Sequence, residues 1–227
     1  MKTKKPLAHI IGEWEFCDLS FKVNEHTLIP RPETEELIHL IVKENKSQNN
    51  LSILDVGTGS GCIAISLKSF LDNSSVTAYD VSEEALLKAE ENAALNNVED
   101  KVNSIEGDVI EVCRQLIEDG EEFDVVIVDP PAFIPRRKDQ KVGERAYQKL
   151  NQLAMRLLTR DGLLVSASCS MHLSRPALVT ALRLSGQTLE KRLQIIEQGA
   201  QGADHPIVPA IPETEYLKAM FVRVLPA

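Results

Sequence analysis

The sequence is poor in aromatic residues, in cysteines and in long apolar runs. Aromatic side chains account for 4% of its 227 residues, and no stretch is apolar for long enough to span a bilayer. The four cysteines stand far apart and give no sign of a structural zinc site or of a disulfide framework. The basic start is not followed by the apolar segment of a secretory signal. We therefore expect a cytoplasmic protein with no membrane anchor and no metal.

The chain is acidic, with one basic exception. Its formal net charge is −9, and 26% of its residues are charged, a proportion typical of a globular domain. Such a charge repels polyanions, so a nucleic-acid partner would need a local basic patch. One patch covers 135–141 and continues with Arg145 and Lys149. It fits a phosphate-contacting surface and an ordinary solvated helix face equally well.

Short apolar runs alternate with segments of helical periodicity. The strands that this pattern predicts are 51–56, 75–79, 101–105, 123–128, 162–167, 194–197 and 217–224, and the helices are 62–70, 82–96, 109–117, 143–158 and 176–184. Such alternation favours a parallel sheet with right-handed crossovers and helices on both faces. The last two strands fit an antiparallel pair. We predict a Rossmann-like, doubly wound α/β fold with a mostly parallel seven-stranded sheet and an antiparallel edge strand.

The amino-terminal segment differs from this alternating pattern. Residues 13–32 predict short extended segments broken by prolines, and 33–42 predict an amphipathic helix. The polar stretch 43–50 is the best linker candidate. We therefore divide the chain into a flanking or lid segment, 1–45, and a main domain, 46–227.

A glycine-rich loop follows the first strand of the main domain and opens a helix. Glycine allows backbone conformations that a Cβ forbids and lets the chain approach a ligand closely. The loop residues that we assign to a nucleotide-like cofactor are Asp55, Gly57, Thr58, Gly59, Ser60 and Gly61. A dinucleotide oxidoreductase is the competing class, but its fingerprint is Gly-x-Gly-x-x-Gly, whereas these glycines alternate strictly.

Acidic residues also stand at the ends of the next two strands. Asp80, followed by Val81, can accept both hydroxyls of a ribose, and Asp108 can accept from an adenine amino group while Val109 covers the ring. Each acid on its own fits a strand-end cap about as well. Ligands of doubly wound sheets bind at the carboxyl ends of the strands, so three such elements together favour a cofactor site.

This arrangement resembles the class I S-adenosylmethionine-dependent methyltransferases over nearly the whole chain, which implies S-adenosyl-L-methionine as the cofactor. Residues 11–108 are similar to the release-factor glutamine methyltransferases, through Ile-Gly-Glu-Trp-Glu-Phe at 11–16 and Leu-Ile-Pro-Arg-Pro-Glu-Thr-Glu at 28–35. That family continues with Asn-Pro-Pro-Tyr, where this chain has Asp129-Pro130-Pro131-Ala132. An ionised aspartate cannot donate a hydrogen bond as asparagine does, which argues against a glutamine substrate.

Residues 123–227 instead resemble the large-subunit ribosomal RNA 5-methylcytosine methyltransferases. The similar segments are Asp-Pro-Pro-Ala-Phe at 129–133, Ser-Cys-Ser at 168–170, Gly-Ala-Asp-His-Pro at 202–206 and Glu-Tyr-Leu-Lys at 215–218. The resemblance implies that Cys169 adds to carbon 6 of cytosine, while Asp129 and Pro130 position the base. Asp129 is also counted among the cofactor contacts. Taken alone, Cys169 fits a small buried strand-end residue, and His205 fits loop packing better than general-base catalysis.

The two resemblances meet between Asp108 and Phe123, so we interpret the chain as a mosaic. Three hypotheses follow: methylation of cytosine in ribosomal RNA, methylation of a glutamine in a release factor, and a cofactor-binding fold without turnover. The third stays open because the substrate-recruiting amino-terminal domains of both families are not recognisable in this sequence.

Overall fold

The computed structural model describes residues 5–46, 48–99, 102–130, 132–202 and 205–227. Contacts along the chain divide it into two compact units, 1–109 and 110–227. Pro131, Ala203 and Asp204, which belong to the motifs that resemble RNA methyltransferases, lie outside the described residues. The division into a 1–45 flank and a 46–227 main domain stays a prediction.

The first unit contains a small hairpin and three parallel strands. Its elements are α1 (Leu7–Ile11), β1 (Glu13–Phe16), β2 (Leu19–Lys22), α2 (Pro32–Asn45), β3 (Ser52–Val56), α3 (Cys62–Phe70), β4 (Ser75–Asp80), α4 (Glu83–Leu95) and β5 (Val102–Glu106). The strand order is β5-β4-β3, with Val56 beside Tyr79 and Asp80 beside Glu106. This register brings the carboxyl ends of all three strands to one edge.

The helix after β4 begins where its sequence predicts. Ser82 is the N-cap of α4, and its hydroxyl accepts a hydrogen bond from the Ala85 amide at 3.2 Å. Glu83 and Glu84 occupy the first turn, where negative charge stabilises the helix dipole. The cap fixes the direction in which the chain leaves Asp80.

The amino-terminal segment contains the predicted extended segments and the predicted helix, together with one helix that was not predicted. The extended segments form the antiparallel hairpin β1–β2, and α1 precedes it without having been predicted. Helix α2 continues through the first residues of the predicted linker, so that prediction was wrong for residues 43–45. Asn45, the last residue of α2, is buried, and its side chain donates to the Ile41 carbonyl at 2.8 Å, so this polar residue packs as part of the helix rather than as a linker.

The second unit contains four strands. Its elements are α5 (Val109–Glu118), β6 (Phe123–Val128), α6 (Gln140–Arg156), β7 (Leu158–Ser168), α7 (Arg175–Thr188), β8 (Lys191–Ala200) and β9 (Lys218–Pro226), with single 3-10 turns at Arg137–Asp139 and Pro212–Thr214. The strand order is β6-β7-β9-β8, with β6 parallel to β7 and β9 antiparallel to both of its neighbours. The buried strand β6 has the predicted bounds.

The main sheet has seven strands in the order β5-β4-β3-β6-β7-β9-β8, and the pairings within each unit are parallel except for those of β9. The predicted Rossmann-like fold class, with its antiparallel pair at one edge, is therefore confirmed. No helix among the described residues is long and apolar enough to cross a membrane.

Candidate active site

The glycine loop follows β3 and adopts backbone conformations that suit glycine. Gly57, Gly59 and Gly61 all have positive φ, at 82°, 56° and 79°. At Gly61 a Cβ would also lie 2.9 Å from the Ile65 side chain and 3.3 Å from the Ala89 backbone. Glycine at this position therefore allows both the turn into α3 and the close approach of α4.

Asp55 and Thr58 hold the loop from within. Both residues are buried, and the Thr58 hydroxyl donates to the Asp55 carboxylate at 2.7 Å. The amides of Gly57 and Thr58 both donate to the Tyr79 carbonyl at 2.8 Å. The loop is thereby tied to the end of β4, and the assignment of Asp55 and Thr58 to the cofactor stays a prediction.

Asp80 is a partly exposed carboxylate that joins the loop to α4. One of its oxygens accepts from the Gly59 amide at 2.8 Å, and the other accepts from the Ser82 amide at 3.0 Å. A carboxylate oxygen has a second lone pair, so a ribose hydroxyl can still donate to each. Next to it, Val81 is 69% exposed, which leaves an apolar side chain available to a ring.

The end of β5 lies beside the end of β4. The Gly107 amide donates to the Asp80 carbonyl at 3.1 Å, and the Tyr79 hydroxyl donates to the Gly107 carbonyl. Asp108 follows as an exposed residue, and Val109 is partly exposed. The structure thus brings together the three strand ends on which the prediction of a cofactor site depended.

The residues at this edge fit a cofactor with polar groups. The Ser60 hydroxyl is buried and has no hydrogen-bond partner in the described part of the chain. A Cβ built at Gly57 or Gly59 meets no atom within 4 Å, so the loop borders open space. Exposed or partly exposed Asp80 and Asp108 supply acceptors beside this space. Among the described residues, no group of His, Cys, Asp or Glu could hold a metal ion.

The second unit holds the residues predicted to act on the methyl acceptor. Asp129 and Pro130 follow β6, and Cys169 follows β7. Strands β6 and β7 are parallel neighbours with Val128 beside Ser166, so their carboxyl ends lie at the same edge. Burial raises the pKa of the Asp129 carboxyl from 3.8 to about 6, although the residue as a whole is partly exposed.

Cys169 is exposed between two buried serines. The Ser168 hydroxyl bonds to the Tyr147 hydroxyl at 2.8 Å and accepts from the Ser170 amide at 3.1 Å. The Ser170 hydroxyl donates to the Ile134 carbonyl at 3.4 Å. These bonds fix the backbone on both sides of Cys169, and the residue itself is exposed. The alternative of a buried strand-end cysteine was therefore wrong.

The other three cysteines, all within the described residues, differ in exposure. Cys17 and Cys113 are buried, and Cys62 is partly exposed. Burial raises the pKa of the Cys17 thiol to about 11. Cys169 is therefore the cysteine whose position best suits a nucleophile, because reactive thiols are accessible and ionisable.

Tyr147 links the predicted reactive residues. Its ring lies 4.9 Å from that of Phe133. Burial raises the pKa of its hydroxyl, the Ser168 and Phe133 hydrogen bonds lower it, and the charges of Cys169 and Asp129 raise it further. Asp129 and Cys169 thus both lie within electrostatic range of one buried phenol.

Lys218 lies beside the predicted nucleophile, and the sequence analysis did not single it out. Its side chain is fully buried, it pairs with Ser168 across β7 and β9, and its ammonium donates to the Ser170 carbonyl at 2.6 Å. Burial lowers its pKa to about 8, while the charges of Glu215 and Cys169 oppose that shift. Its presence in the Glu-Tyr-Leu-Lys motif was the available signal.

His205 packs against an aromatic ring in the loop before β9. The His205 and Tyr216 rings meet edge-on, with centroids 6.1 Å apart. This contact agrees with the loop-packing interpretation.

The parallel sheet, the glycine loop and the acidic strand ends define the class of S-adenosylmethionine-dependent methyltransferases. A solved crystal structure has this fold, and its protein is provisionally described as a methyltransferase complexed with SAH. The TM-score is 0.79 at 13% sequence identity, and the match covers 98% of this chain and 58% of the other. The chain itself belongs to the methyltransferase small domain family, whose model matches residues 34–192. Its cofactor is S-adenosylmethionine.

Relatives with two different names match the chain. A release factor glutamine methyltransferase from Flavobacterium psychrophilum is 44% identical over 167 residues, covering 72% of this chain and 56% of its own length. A protein from Methanocaldococcus jannaschii is provisionally named a ribosomal RNA large subunit methyltransferase. It is 35% identical over 213 residues, which cover 91% of this chain and 53% of its own length. The chain therefore spans about half the length of these relatives. The two matches cover 167 and 213 residues, and each is longer than the part of the chain on either side of the 108–123 junction. The two resemblances therefore overlap along the chain. The interpretation of the chain as a mosaic stays a prediction.

Proposed function

We propose that this methyltransferase acts on carbon 5 of cytosine in RNA, and specifically in ribosomal RNA, with Cys169 as its nucleophile. The observation that supports this most strongly is the exposed thiol of Cys169 at the end of β7 between two immobilised serines. A glutamine methyltransferase has no use for a presented thiol, whereas cytosine methylation at carbon 5 requires a covalent nucleophile.

The chemistry follows from the low reactivity of carbon 5. The Cys169 thiolate adds to carbon 6, and the electron density of the ring moves to carbon 5. S-adenosylmethionine would supply an electrophilic methyl group to carbon 5 and would leave as S-adenosylhomocysteine, because the bond between the methyl group and the sulfonium sulfur breaks. A base then removes the carbon 5 proton, and the bond between carbon 6 and sulfur breaks to return the thiolate. The base must leave its stack to reach the thiol, which costs a few kcal/mol in a duplex and less in a single strand.

Asp129 is the residue that we assign to the ring edge of cytosine. With a pKa of about 6, its carboxyl exchanges a proton near neutral pH, so it can donate a hydrogen bond when protonated and accept when ionised. The adduct concentrates negative charge on the pyrimidine ring, and a protonated carboxyl stabilises that charge. Pro130, the next residue, is buried, and its ring restricts the backbone there.

Glutamine methylation of a protein is the second candidate. The Flavobacterium relative with a release factor glutamine methyltransferase name favours it. The aspartate at position 129, where that family has asparagine, argues against it, because a carboxyl group with a pKa of about 6 is mostly ionised above that pH and then only accepts, whereas an asparagine amide donates at any pH.

Labelled methyl transfer tests both candidates. The protein is incubated with methyl-labelled S-adenosylmethionine and either ribosomal RNA or release factor, and with RNA that contains 5-fluorocytosine, which cannot lose a proton from carbon 5. We expect label in RNA, and a covalent complex with the fluorinated RNA that Cys169→Ala abolishes. Cys62→Ala, at a partly exposed cysteine in the first unit, is the matched control and should leave the complex intact.

Each other outcome contradicts part of the proposal. RNA labelling that survives Cys169→Ala would exclude the nucleophile, and label in release factor alone would establish the second candidate. No label in either substrate, with S-adenosylmethionine still bound, would indicate a binding fold without turnover.

A further inference from the structure

A row of basic side chains lies along the exposed face of α6 in the second unit. Lys141, Arg145 and Lys149 are all exposed and are spaced four residues apart, so they share one side of the helix and cover about 12 Å. Lys138, in the 3-10 turn before α6, precedes them and is also exposed. None of the four belongs to an ion pair found among the described residues.

This row borders a groove between α6 and α7. The α6–α7 groove has a volume of about 510 Å³, and Lys141, Arg145 and Gln148 line one wall. Thr180 lies on the opposite wall, and Glu144 is the acidic residue among the lining side chains. The α7 wall is otherwise apolar, with Pro176, Ala177, Ala181 and Leu184. The two cations and the hydrogen-bonding groups of Gln148 and Thr180 can contact phosphates, while the apolar wall can contact sugars or unstacked bases.

Packing holds the two walls together. The Ser185 hydroxyl of α7 donates to the Gln148 carbonyl of α6 at 2.9 Å. On the buried side of α6, Tyr147 bonds to Ser168, the residue before Cys169. One rigid helix thus carries both the groove and the contact that positions the turn at Cys169.

We propose that the α6–α7 groove binds the phosphodiester backbone of a single-stranded segment of the RNA substrate. The proposal rests on the RNA acceptor proposed above. The net charge of −9 repels polyanions from the chain in general, so contact requires a place where cations outnumber acids. Single-stranded RNA suits the groove because a reactive base has to be unstacked.

Salt dependence of RNA binding tests this assignment. The variant Lys141→Gln/Arg145→Gln/Lys149→Gln is titrated against a fluorescent, cytidine-rich RNA of about 12 nucleotides. Each lost phosphate contact reduces the slope of log affinity against log salt by about 0.7, so three should reduce it by about 2. Affinity at about 0.1 M salt should fall by about 100-fold, and the wild type and the variant should converge near 1 M.

A variant with the same charge change elsewhere is the matched control. Arg160, Lys191 and Arg192 are exposed basic residues of β7 and β8 in the same unit. The variant Arg160→Gln/Lys191→Gln/Arg192→Gln should keep the wild-type slope. Glu144→Gln removes the acid from the groove and should tighten RNA binding about fivefold at about 0.1 M salt.

Three outcomes would overturn the proposal. Equal losses in both triple variants would mean that overall charge governs binding, and unchanged slopes would mean that RNA binds elsewhere. Loss of binding to an acidic peptide but not to RNA would assign the groove to a protein partner. The measurement needs no methyl transfer, so Cys169→Ala should keep the wild-type slope. Groove-dependent RNA binding by a wild-type protein that forms no methylated cytosine would refute the proposed activity while leaving the groove assignment intact.

Discussion

Asp129 carries a carboxyl group that folding makes harder to ionise. Its pKa of about 6 lies above the usual 3.8, so the folded protein keeps this proton to a higher pH than the unfolded chain does. The group therefore lowers the free energy of unfolding progressively as pH rises from 4 to 6, and the full cost is present above pH 6. The Asp129 carboxyl thus reduces the stability of the folded protein, and it keeps a proton that can be exchanged near neutral pH.

Replacing Asp129 by asparagine should remove this cost. Asp129→Asn should match the wild type near pH 4 and exceed its free energy of unfolding by about 1 to 3 kcal/mol at pH 8, because the amide does not ionise. Urea denaturation across this pH range measures the difference. Asp72→Asn, at an exposed aspartate, is the control. If Asp72→Asn changes the free energy of unfolding with the same pH dependence as Asp129→Asn, the assignment of the effect to Asp129 is contradicted.

Lys218 presents its charge to the turn that holds Cys169. Lys218→Met removes the buried ammonium, so we expect a smaller ionised fraction of the Cys169 thiol and several-fold slower alkylation near pH 7. Peptide mass spectrometry after iodoacetamide treatment measures each cysteine separately. The buried thiol of Cys17 should stay unlabelled in both proteins.

Lys68 provides the matched control for this substitution. It is another buried lysine whose ammonium donates to backbone carbonyls, those of Asp72 and Ser74, and it lies in the first unit. Lys68→Met should leave the alkylation rate of Cys169 unchanged. If both variants slow alkylation equally, loss of stability rather than local charge is the cause.

At the scale of secondary-structure elements, Asn92 of α4 joins the hairpin to the cofactor loop. It is fully buried, accepts from the Lys22 amide at 2.6 Å, and donates to the carbonyls of Lys22 and Ser60 at 3.0 and 2.9 Å. These contacts connect residues as much as 70 positions apart. The conformation of the glycine loop thus depends on a strand near the amino terminus.

Removal of the Asn92 side chain should affect both stability and cofactor binding. Asn92→Ala removes the side-chain partner of three backbone groups, of which the Ser60 carbonyl lies in a buried contact and the amide and carbonyl of Lys22 in partly buried ones. This should cost about 2 to 4 kcal/mol and weaken S-adenosylhomocysteine binding about tenfold or more. Urea denaturation and calorimetric titration measure the two effects. Asn96, one turn later, bonds to Ser20 of the same hairpin but not to the loop. Asn96→Ala should therefore keep wild-type affinity, and equal weakening in both variants would contradict the coupling.

The bounds of the elements show which features sequence patterns can predict. Runs such as β6 and α3 were predicted to the residue because apolar spacing and turn residues mark both ends locally. Strand β7 begins at Leu158 rather than at residue 162, across a break in its pairing with β6. The extension depends on a neighbouring strand, which the local pattern does not encode.

At the scale of the whole molecule, the candidate site residues that were predicted have local sequence signals, whereas Lys218, which was missed, depends on contacts between distant parts of the chain. The glycine loop, Asp80 and Asp108 follow strands in the sequence, so the fold class alone places them at one edge. Lys218 reaches Ser170 from 48 positions away, and its burial gives no local signal. The position of Lys218 beside Ser168 follows from the register between β7 and β9, which the local sequence pattern does not predict.

Strand β8 ends the sheet, and its shape affects how copies of the chain meet. An open strand edge invites another chain to add a strand, which leads to aggregation. In β8 the register shifts between Ile195 and Glu197, and Lys191 and Arg192 are exposed at its start. The bulge interrupts the regular spacing of backbone donors and acceptors, and the charges repel a second copy. This edge is thereby protected against edge-to-edge polymerisation, although Ile195 and Ile196 are 40% and 39% exposed.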